Sequence, residues 1–466
     1  MVRTDLARGA DVVVIGAGLA GYRAALEAAT CGAEVLLLEK QPGPGGSTAL
    51  SSGFLAFAGT DIQRAAGVED DDQRLLNDLR AAGGGYSDEA LLNTYVENQL
   101  ATYRWLRSIG TVFKPLQLSS AQSVPRTHPI DIQALLKQLA ELCTQTGKVR
   151  TLLATPATRL GRDPVSGRVT AVNILLNGAS QCIAARRGVV LAAGGFSHNE
   201  EMLANFVPHQ ARGVRFGGAG NTGDGIKMAW ALGAGLRDMG LIKGTFGFHP
   251  DSRTHPGRDW TKLPVYQGAI AVNKYGTRFV DESRSYKLLG DAVLQQPDAV
   301  AYQIFDQDIM DKGADNVPPF DFQSALRRGL VIKADTLAKL ATQIGLESDI
   351  LESTVQRYNE FVASGCDADF GRDGLATHYG TLVPISRAPY YGYASTSGLI
   401  ATYCGLTVSP ETQVIDVYRN IIEGLYAAGE LMGGFHGESY MTGSALGKCL
   451  IFGRIAGRNA AQASGQ

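Results

Sequence analysis

Two unbroken apolar runs stand near the start of the chain, Val12-Val13-Val14-Ile15 and Val35-Leu36-Leu37-Leu38. Runs without polar alternation are the pattern of strands buried on both faces of a parallel sheet. Between them an alanine-rich stretch, with Ala20, Ala24, Ala25 and Ala28, predicts a helix that stops at Gly32. The strand-into-glycine form recurs in Val189-Val190-Leu191-Ala192-Ala193-Gly194-Gly195-Phe196 and in Gly424-Leu425-Tyr426-Ala427-Ala428-Gly429-Glu430. A last strand of this kind must return to the first sheet, which predicts one domain assembled from both chain ends. Over residues 245–400 the pattern changes to strand-like 269–272, a turn at Lys274-Tyr275-Gly276, and helical periodicity in 336–346 and 350–361. The expected class is α/β: a Rossmann-like nucleotide domain over 1–244 and 401–466, with an inserted α+β capping domain over 245–400.

The turn after the first run reads Gly16-Ala17-Gly18-Leu19-Ala20-Gly21, and Glu39 followed by Lys40 closes the second run. Gly16 permits a sharp turn, Gly18 lets the backbone approach a pyrophosphate, and Gly21 lets helix and strand pack closely. Leu19 and Ala20 open a helix whose amides favour the anion, and Glu39 stands where an acid accepts ribose hydroxyls. A dinucleotide site is predicted. The remaining glycine clusters, including Gly45-Gly46 and the stretch 429–447, mark further places where backbone approaches something closely.

With 466 residues and 45% hydrophobic content the chain can bury more than one core. Its formal net charge of -2 gives no electrostatic case for nucleic acid or an anionic membrane as partner. The acidic cluster at 69–72 predicts a solvated helix start. Six scattered cysteines without a CxxC indicate no disulfide framework, no metal and no haem, and suggest the reducing cytoplasm. The first apolar run is the nucleotide strand rather than a signal segment, and no stretch is long enough to span a bilayer. No integral membrane segment is therefore expected, and a membrane electron acceptor would be met peripherally.

Further motifs follow in order: Gly45-Gly46-Ser47-Thr48 with Ser52-Gly53, Ala193-Gly194-Gly195-Phe196, Asn221-Thr222-Gly223-Asp224-Gly225, Gly276-Thr277-Arg278-Phe279-Val280-Asp281-Glu282, Ala427-Ala428-Gly429-Glu430 and Phe452-Gly453-Arg454-Ile455-Ala456-Gly457. In that order they resemble the flavoprotein family of fumarate reductases, succinate dehydrogenases and 3-ketosteroid dehydrogenases, over nearly the whole chain. The resemblance implies FAD, held by Gly16, Gly18, Leu19, Ala20, Glu39, Lys40, Gly45, Gly46, Ser47, Thr48, Ser52, Gly53, Ala157, Ala193, Gly194, Asn221, Thr222, Asp224, Gly429, Glu430, Ser444, Ala445 and Leu446. Glu430 suits a hydroxyl-bearing ribityl chain, or else is a helix N-terminal acid favoured by the dipole. Ser444-Ala445-Leu446 would open the last helix, either presenting amides to the anionic edge of a reduced flavin or with Ser444 as a simple cap. In this family a histidine near the early glycine turn can bind the flavin covalently; here Ala49-Leu50 stand there, which implies noncovalent FAD.

Fumarate reductases grip two carboxylates with arginines and histidines, because arginine makes bidentate charged hydrogen bonds that a neutral group cannot replace. On the resemblance two of those arginines fall on Tyr286 and Tyr440, a histidine on Ala401 and the proton-delivery arginine near Val265, while His249 alone of the set remains. A dicarboxylate is therefore not the expected substrate. Tyrosines in these two places look instead like the 3-ketosteroid dehydrogenases. That likeness implies that Tyr440, helped by a backbone amide near Ser444, polarises a ketone, while Tyr286 removes the α proton and the β hydride goes to the flavin. An unperturbed tyrosine has a pKa near ~10, so the base role requires hydrogen bonds or positive charge beside Tyr286. His249 orients substrate or is structural. Arg126, in Arg126-Thr127-His128-Pro129, is either part of an exposed loop or a carboxylate anchor at the substrate mouth. The stretch 113–125 has no tyrosine where ketosteroid enzymes usually carry one, which favours a smaller cyclic ketone.

The leading expectation is an FAD-dependent desaturase of a cyclic ketone, a 3-ketosteroid or smaller, that passes electrons to a quinone, oxygen or a redox protein. The alternative is a reductase of an α,β-unsaturated carboxylic acid anchored by Arg126 or Arg284. A noncatalytic flavin-binding or redox-sensing protein is a third class, which leaves the site tyrosines unexplained.

Overall fold

The structure, a computed structural model, describes residues 9–464 except 254–260, 316, 318 and 379. It divides into two units, Met1–Phe206 with Gly217–Ile242 and Ala401–Gln466, and Val207–Phe216 with Lys243–Ile400. The sequence pattern places 207–216 with the nucleotide domain; the structure gives it to the second unit, because Val214–Arg215 pairs in parallel with the end of the strand Tyr390–Leu399.

Eight strands build the sheet of the first unit: β1 (Ala10–Ile15), β2 (Val35–Leu38), β3 (Val149–Leu152), β4 (Ala157–Arg162), β5 (Val169–Leu176), β6 (Ala179–Leu191), β7 (Gln413–Ile415) and β8 (Ile421–Ala427). The path runs β7-β8-β6-β1-β2-β3, with β4 and β5 as an antiparallel extension from β6. One row of partners crosses the parallel part, Leu425, Val189, Val13, Leu36 and Arg150. Val12, Val13 and Val14 are wholly buried, each contributing about 1.5–3 kcal/mol through apolar burial. The C-terminal β8 thus lies two strands from the N-terminal β1.

Helix α1 (Leu19–Thr30) follows β1, and α2 (Ser444–Gln462) closes the chain. The two lie in close contact because α2 carries Gly453 and Gly457 where it meets α1. A Cβ at those positions would stand 2.7 Å from Ala20 O and 2.2 Å from Ala24 O. The acidic cluster opens the helix Asp72–Gly83, with Asp71 accepting the Arg74 amide.

In the second unit the strand Tyr390–Leu399 pairs antiparallel with Thr245–Phe248, Ala301–Phe305 and Val331–Ala334, and Ile270–Val272 pairs Ala301–Phe305. The helices Leu337–Ile344, capped by Thr336, and Ser348–Ser364 contribute Leu340, Leu351, Val355 and Tyr358 to its core. A buried ionic group ties its loops. Glu282, fully buried, accepts from Arg278, Arg372 and the Ala271 amide, and Arg278 also reaches Asp367.

Candidate active site

Gly16 turns with a φ of 107°. A Cβ on Gly21 would stand 1.8 Å from Gly16 O, so only glycine lets α1 start this close to the turn. A Cβ on Gly18, just before Leu19 and Ala20 open α1, would stand in ordinary van der Waals contact with Thr48 Oγ1 at 3.7 Å and Gly45 O at 3.9 Å, so no clash within the protein demands glycine there. Leu19 N donates to Thr48 Oγ1 at 3.3 Å. Glu39 accepts the amides of Ala17 at 2.9 Å and Gln41 at 2.8 Å, one on each carboxylate oxygen. Each oxygen keeps lone-pair capacity for a ribose hydroxyl.

Gly45-Gly46-Ser47-Thr48 is more than a glycine turn: Gly45 precedes a short helix, Gly46–Ala49, and donates its amide to Ala17 O. Ser47 Oγ accepts Gly218 N at 3.0 Å and Asn221 Nδ2 at 3.1 Å. Ser52 is exposed, and Gly53 takes the Ile130 amide on its carbonyl. Lys40 Nζ bridges Thr222 Oγ1 at 2.6 Å and Asp224 Oδ2 at 2.5 Å. Ala193 and Gly194 follow β6; a Cβ on Gly225 would lie 3.0 Å from that of Ala193, and one on Gly194 would lie 2.1 Å from Asn221 Oδ1.

Asn221 Nδ2 also donates to both Glu430 oxygens at 3.1 Å, and Thr402 N donates to Glu430 at 2.9 Å. Glu430 sits in the turn after β8 and opens no helix, so a helix dipole does not account for it. Burial raises its pKa, and the donors Thr402 and Asn221 oppose the rise. A carboxylate so placed takes further hydroxyl donors readily. Gly429 brings the chain ends together, since a Cβ there would lie 2.8 Å from Ala20 Cβ. Ala157 is placed differently. It belongs to β4 and pairs with Ile174, whereas Thr155 N donates to Glu39 O and Ala154 N to Gln41 O, so the backbone just before β4 borders Glu39. Thr402 carries no signal of its own in the sequence beyond the Thr402-x-x-Gly405 spacing.

Tyr440 lies just before α2, and its phenol oxygen accepts the Gly443 amide at 2.9 Å. Gly443 is the cap residue of α2; Ser444 donates its hydroxyl to Met441 O at 2.7 Å and is the first helical residue, followed by Ala445 and Leu446. Simple capping by Ser444 is therefore not its role. Burial pushes the Tyr440 phenol up to about 12, against the amides of Gly443 and Ala445. At neutral pH it is an uncharged hydrogen-bond donor. The Tyr403 ring stacks on it, centroids 5.1 Å apart and planes 11° from parallel, and His436 stands 4.7 Å from Tyr403 and 5.6 Å from Tyr440. Tyr403 holds a φ of 55°, a left-handed conformation that bulky residues rarely adopt and that concentrates at functional sites. Backbone strain leaves no trace in a sequence, so Tyr403 is visible only in the fold.

In the second unit Tyr286 is the first residue of the helix Tyr286–Leu294, whose cap Ser285 accepts the Lys287 amide. Its ring is half-buried and 6.5 Å from that of Tyr266. The Glu282 ion group fixes the segment leading to it. His249 follows the strand Thr245–Phe248; its Nδ1 accepts the Asp251 amide at 3.3 Å and its ring lies 5.5 Å from Tyr393. Burial lowers its pKa, so His249 is neutral at pH 7 with its proton on Nε2.

Arg126 is not in an exposed loop. It is fully buried, with Nε and NH2 on Asp70 at 2.8 and 2.7 Å and NH1 on Asp78. A guanidinium committed to two carboxylates does not anchor a substrate carboxylate, which corrects that expectation. The neighbouring His128, also buried, contacts Arg126 O through Nδ1 at 2.7 Å and Thr60 through Nε2 at 2.9 Å, and burial pushes its pKa down to about 4. Because the folded value lies below the unfolded value near ~6.5, the unfolded chain takes up the proton first. Stability is expected to fall as pH drops from about 6.5 towards 4, by up to about 3 kcal/mol from this group. Denaturant unfolding of the wild type and of His128→Gln between those pH values checks this: the slope should flatten in the variant.

Comparison with known proteins places this geometry. The "FAD binding domain" family model matches residues 11–446. A probable fumarate reductase, Ifc3, of Shewanella frigidimarina (strain NCIMB 400) is 32% identical over 455 residues, 97% of this chain and 75% of that protein. A 3-oxosteroid 1-dehydrogenase of Mycobacterium tuberculosis (strain ATCC 25618 / H37Rv) is 27% identical over 567 residues, 98% of this chain and 99% of that protein. The crystal structure of a 3-ketosteroid-Δ4-(5α)-dehydrogenase from Rhodococcus jostii RHA1, in complex with 4-androstene-3,17-dione, superposes with a TM-score of 0.78 at 29% identity, covering 97% of each chain. Fold and nucleotide cradle define an FAD-dependent oxidoreductase. The chain belongs to the FAD-binding flavoprotein family that includes fumarate reductases and 3-ketosteroid dehydrogenases. Among the described residues no helix is long and apolar enough to cross a membrane.

Proposed function

We propose that this flavoprotein desaturates a cyclic ketone, a 3-ketosteroid or a smaller cyclohexanone-type compound, next to its carbonyl. The observation that carries the reading is Tyr440: a phenol kept neutral by burial, its oxygen accepting the Gly443 amide and its ring stacked on Tyr403. A neutral donor polarises a ketone, whereas a carboxylate calls for arginine. Gly16–Ala20, Glu39, Ser47, Asn221, Glu430 and the start of α2 would hold FAD noncovalently, and the bound flavin would supply an acceptor for the β hydrogen as hydride with both electrons. Tyr286 takes the α proton. His249, neutral with its proton on Nε2, donates one hydrogen bond to substrate. An external acceptor, a quinone, oxygen or a redox protein, removes the electrons. The six free thiols fit a cytoplasmic protein.

The likeness to the Shewanella fumarate reductase supports a second reading, reduction of an α,β-unsaturated carboxylic acid. With Arg126 occupied, that reading is left with Arg284, which is exposed. Anaerobic mixing of the oxidised protein with 3-ketosteroids and substituted cyclohexanones is expected to bleach the flavin. If none bleaches it while an enoate rapidly reoxidises the reduced protein, the second reading replaces the first.

A further inference from the structure

We propose that Lys287 is a positioning residue that stabilises the anionic form of the Tyr286 phenol; this rests on the reading of Tyr286 as the base. The Lys287 side chain is only 1% exposed. Its ammonium donates to Thr245 Oγ1 at 2.8 Å and to Lys243 O at 3.3 Å, two neutral acceptors, and lies 5.9 Å from the centre of the Tyr286 ring. A cation at that range over or beside a phenol, in partly water-free surroundings, favours phenolate over phenol. Tyr286 is also the first residue of a nine-residue helix, where the amides and the macrodipole favour negative charge. Both effects act in one direction.

Two charged or titratable groups among the described residues nearby, Asp291 and Tyr266, are engaged elsewhere. Asp291, on the same helix, is paired with Lys243 at 3.5 Å and receives Gln210 Nε2. Tyr266, packed 6.5 Å from the Tyr286 ring, spends its hydroxyl on Arg284 O, and the Arg284 side chain is exposed. The tyrosine that the chemistry needs as a base therefore stands next to a buried cation. Tyr440, the tyrosine needed as an acid, has its ionisation suppressed by burial. One chain thus separates two like residues into opposite roles by their surroundings.

The test reads the phenol itself in the FAD-loaded protein. Tyrosine labelled with carbon-13 at Cζ gives one resonance per residue, and Tyr286→Phe identifies the one that matters. In the wild type this resonance is expected to titrate clearly below the ordinary tyrosine value of ~10. Lys287→Met should raise the midpoint by about one unit or more, while Lys287→Arg, which keeps the charge, should restore most of the shift. A wild-type midpoint at or above ~10, or a midpoint unmoved in Lys287→Met, overturns the proposal; the wild-type measurement decides even if the Met variant does not fold. Flavin bleaching by Tyr286→Phe is read separately. Full bleaching there removes Tyr286 as base whatever Lys287 does, and a lost shift with an inactive Tyr286→Phe removes Lys287 while leaving the base in place.

Discussion

Tyr440→Phe is expected to slow reduction of the flavin by a cyclic ketone about 10²–10³-fold, equivalent to about 3–4 kcal/mol of transition-state stabilisation, while leaving FAD content unchanged. The reason lies in what the hydroxyl is placed to do. As the α proton leaves, negative charge grows on the carbonyl oxygen, and a donor aimed there gains strength during the step. Phenylalanine keeps the ring that stacks on Tyr403 and removes that donor together with the oxygen that accepts the Gly443 amide. The ratio of flavin to protein absorbance reports cofactor retention, and anaerobic stopped-flow bleaching reports the rate. A noncatalytic flavin protein would show neither bleaching nor a difference between the two proteins. An unchanged rate in the variant would transfer the polarising role to another donor, with the Ser444 hydroxyl and the amides at the start of α2 the nearest candidates in the chain.

Arg126→Ala is expected to destabilise the holoprotein by about 3–5 kcal/mol, because it leaves Asp70 without its partner in a site where both side chains are wholly buried. Asp78 loses the same cation, and Met441 Sδ, 3.9 Å from Arg126 NH1, loses its contact in the turn that carries Tyr440. The damage should therefore be read both as a lower urea midpoint and as slower bleaching. A carboxylate anchor would behave in the opposite way, with stability kept and only the affinity for an acid substrate lost. Comparing unfolding of the variant with its KM for an enoate separates the two roles cleanly.

Most of the nucleotide cradle was legible in the sequence, because its requirements are local. Val12-Val13-Val14-Ile15 followed by Gly16, Gly18 and Gly21 needs only one strand, one turn and one helix, and Glu39 needs only the next strand. Gly429-Glu430 repeated the same grammar, and the pairing of β8 with β6 followed from it. The helix start at Asp71 and the helices after Thr336 and Glu347 were equally local. Arg126 was not: its neighbours Asp70 and Asp78 belong to another segment, so an arginine in a motif near a substrate mouth read the same whether it was solvated or sealed. The segment 207–216 went to the second unit through a strand pairing with residues far along the chain.

The sequence by itself determined the strand, glycine turn and helix of an FAD-binding domain and pointed to Tyr286 and Tyr440 as candidates. Only the tertiary structure decided what state Tyr440 is in. Burial, acting against two amides, makes Tyr440 a neutral donor, and Tyr403 stacks on it from a separate strained turn. Residue type sets which proton can move, but its affinity depends on solvent exclusion and on charges brought near by distant segments, and those exist only once the chain has folded.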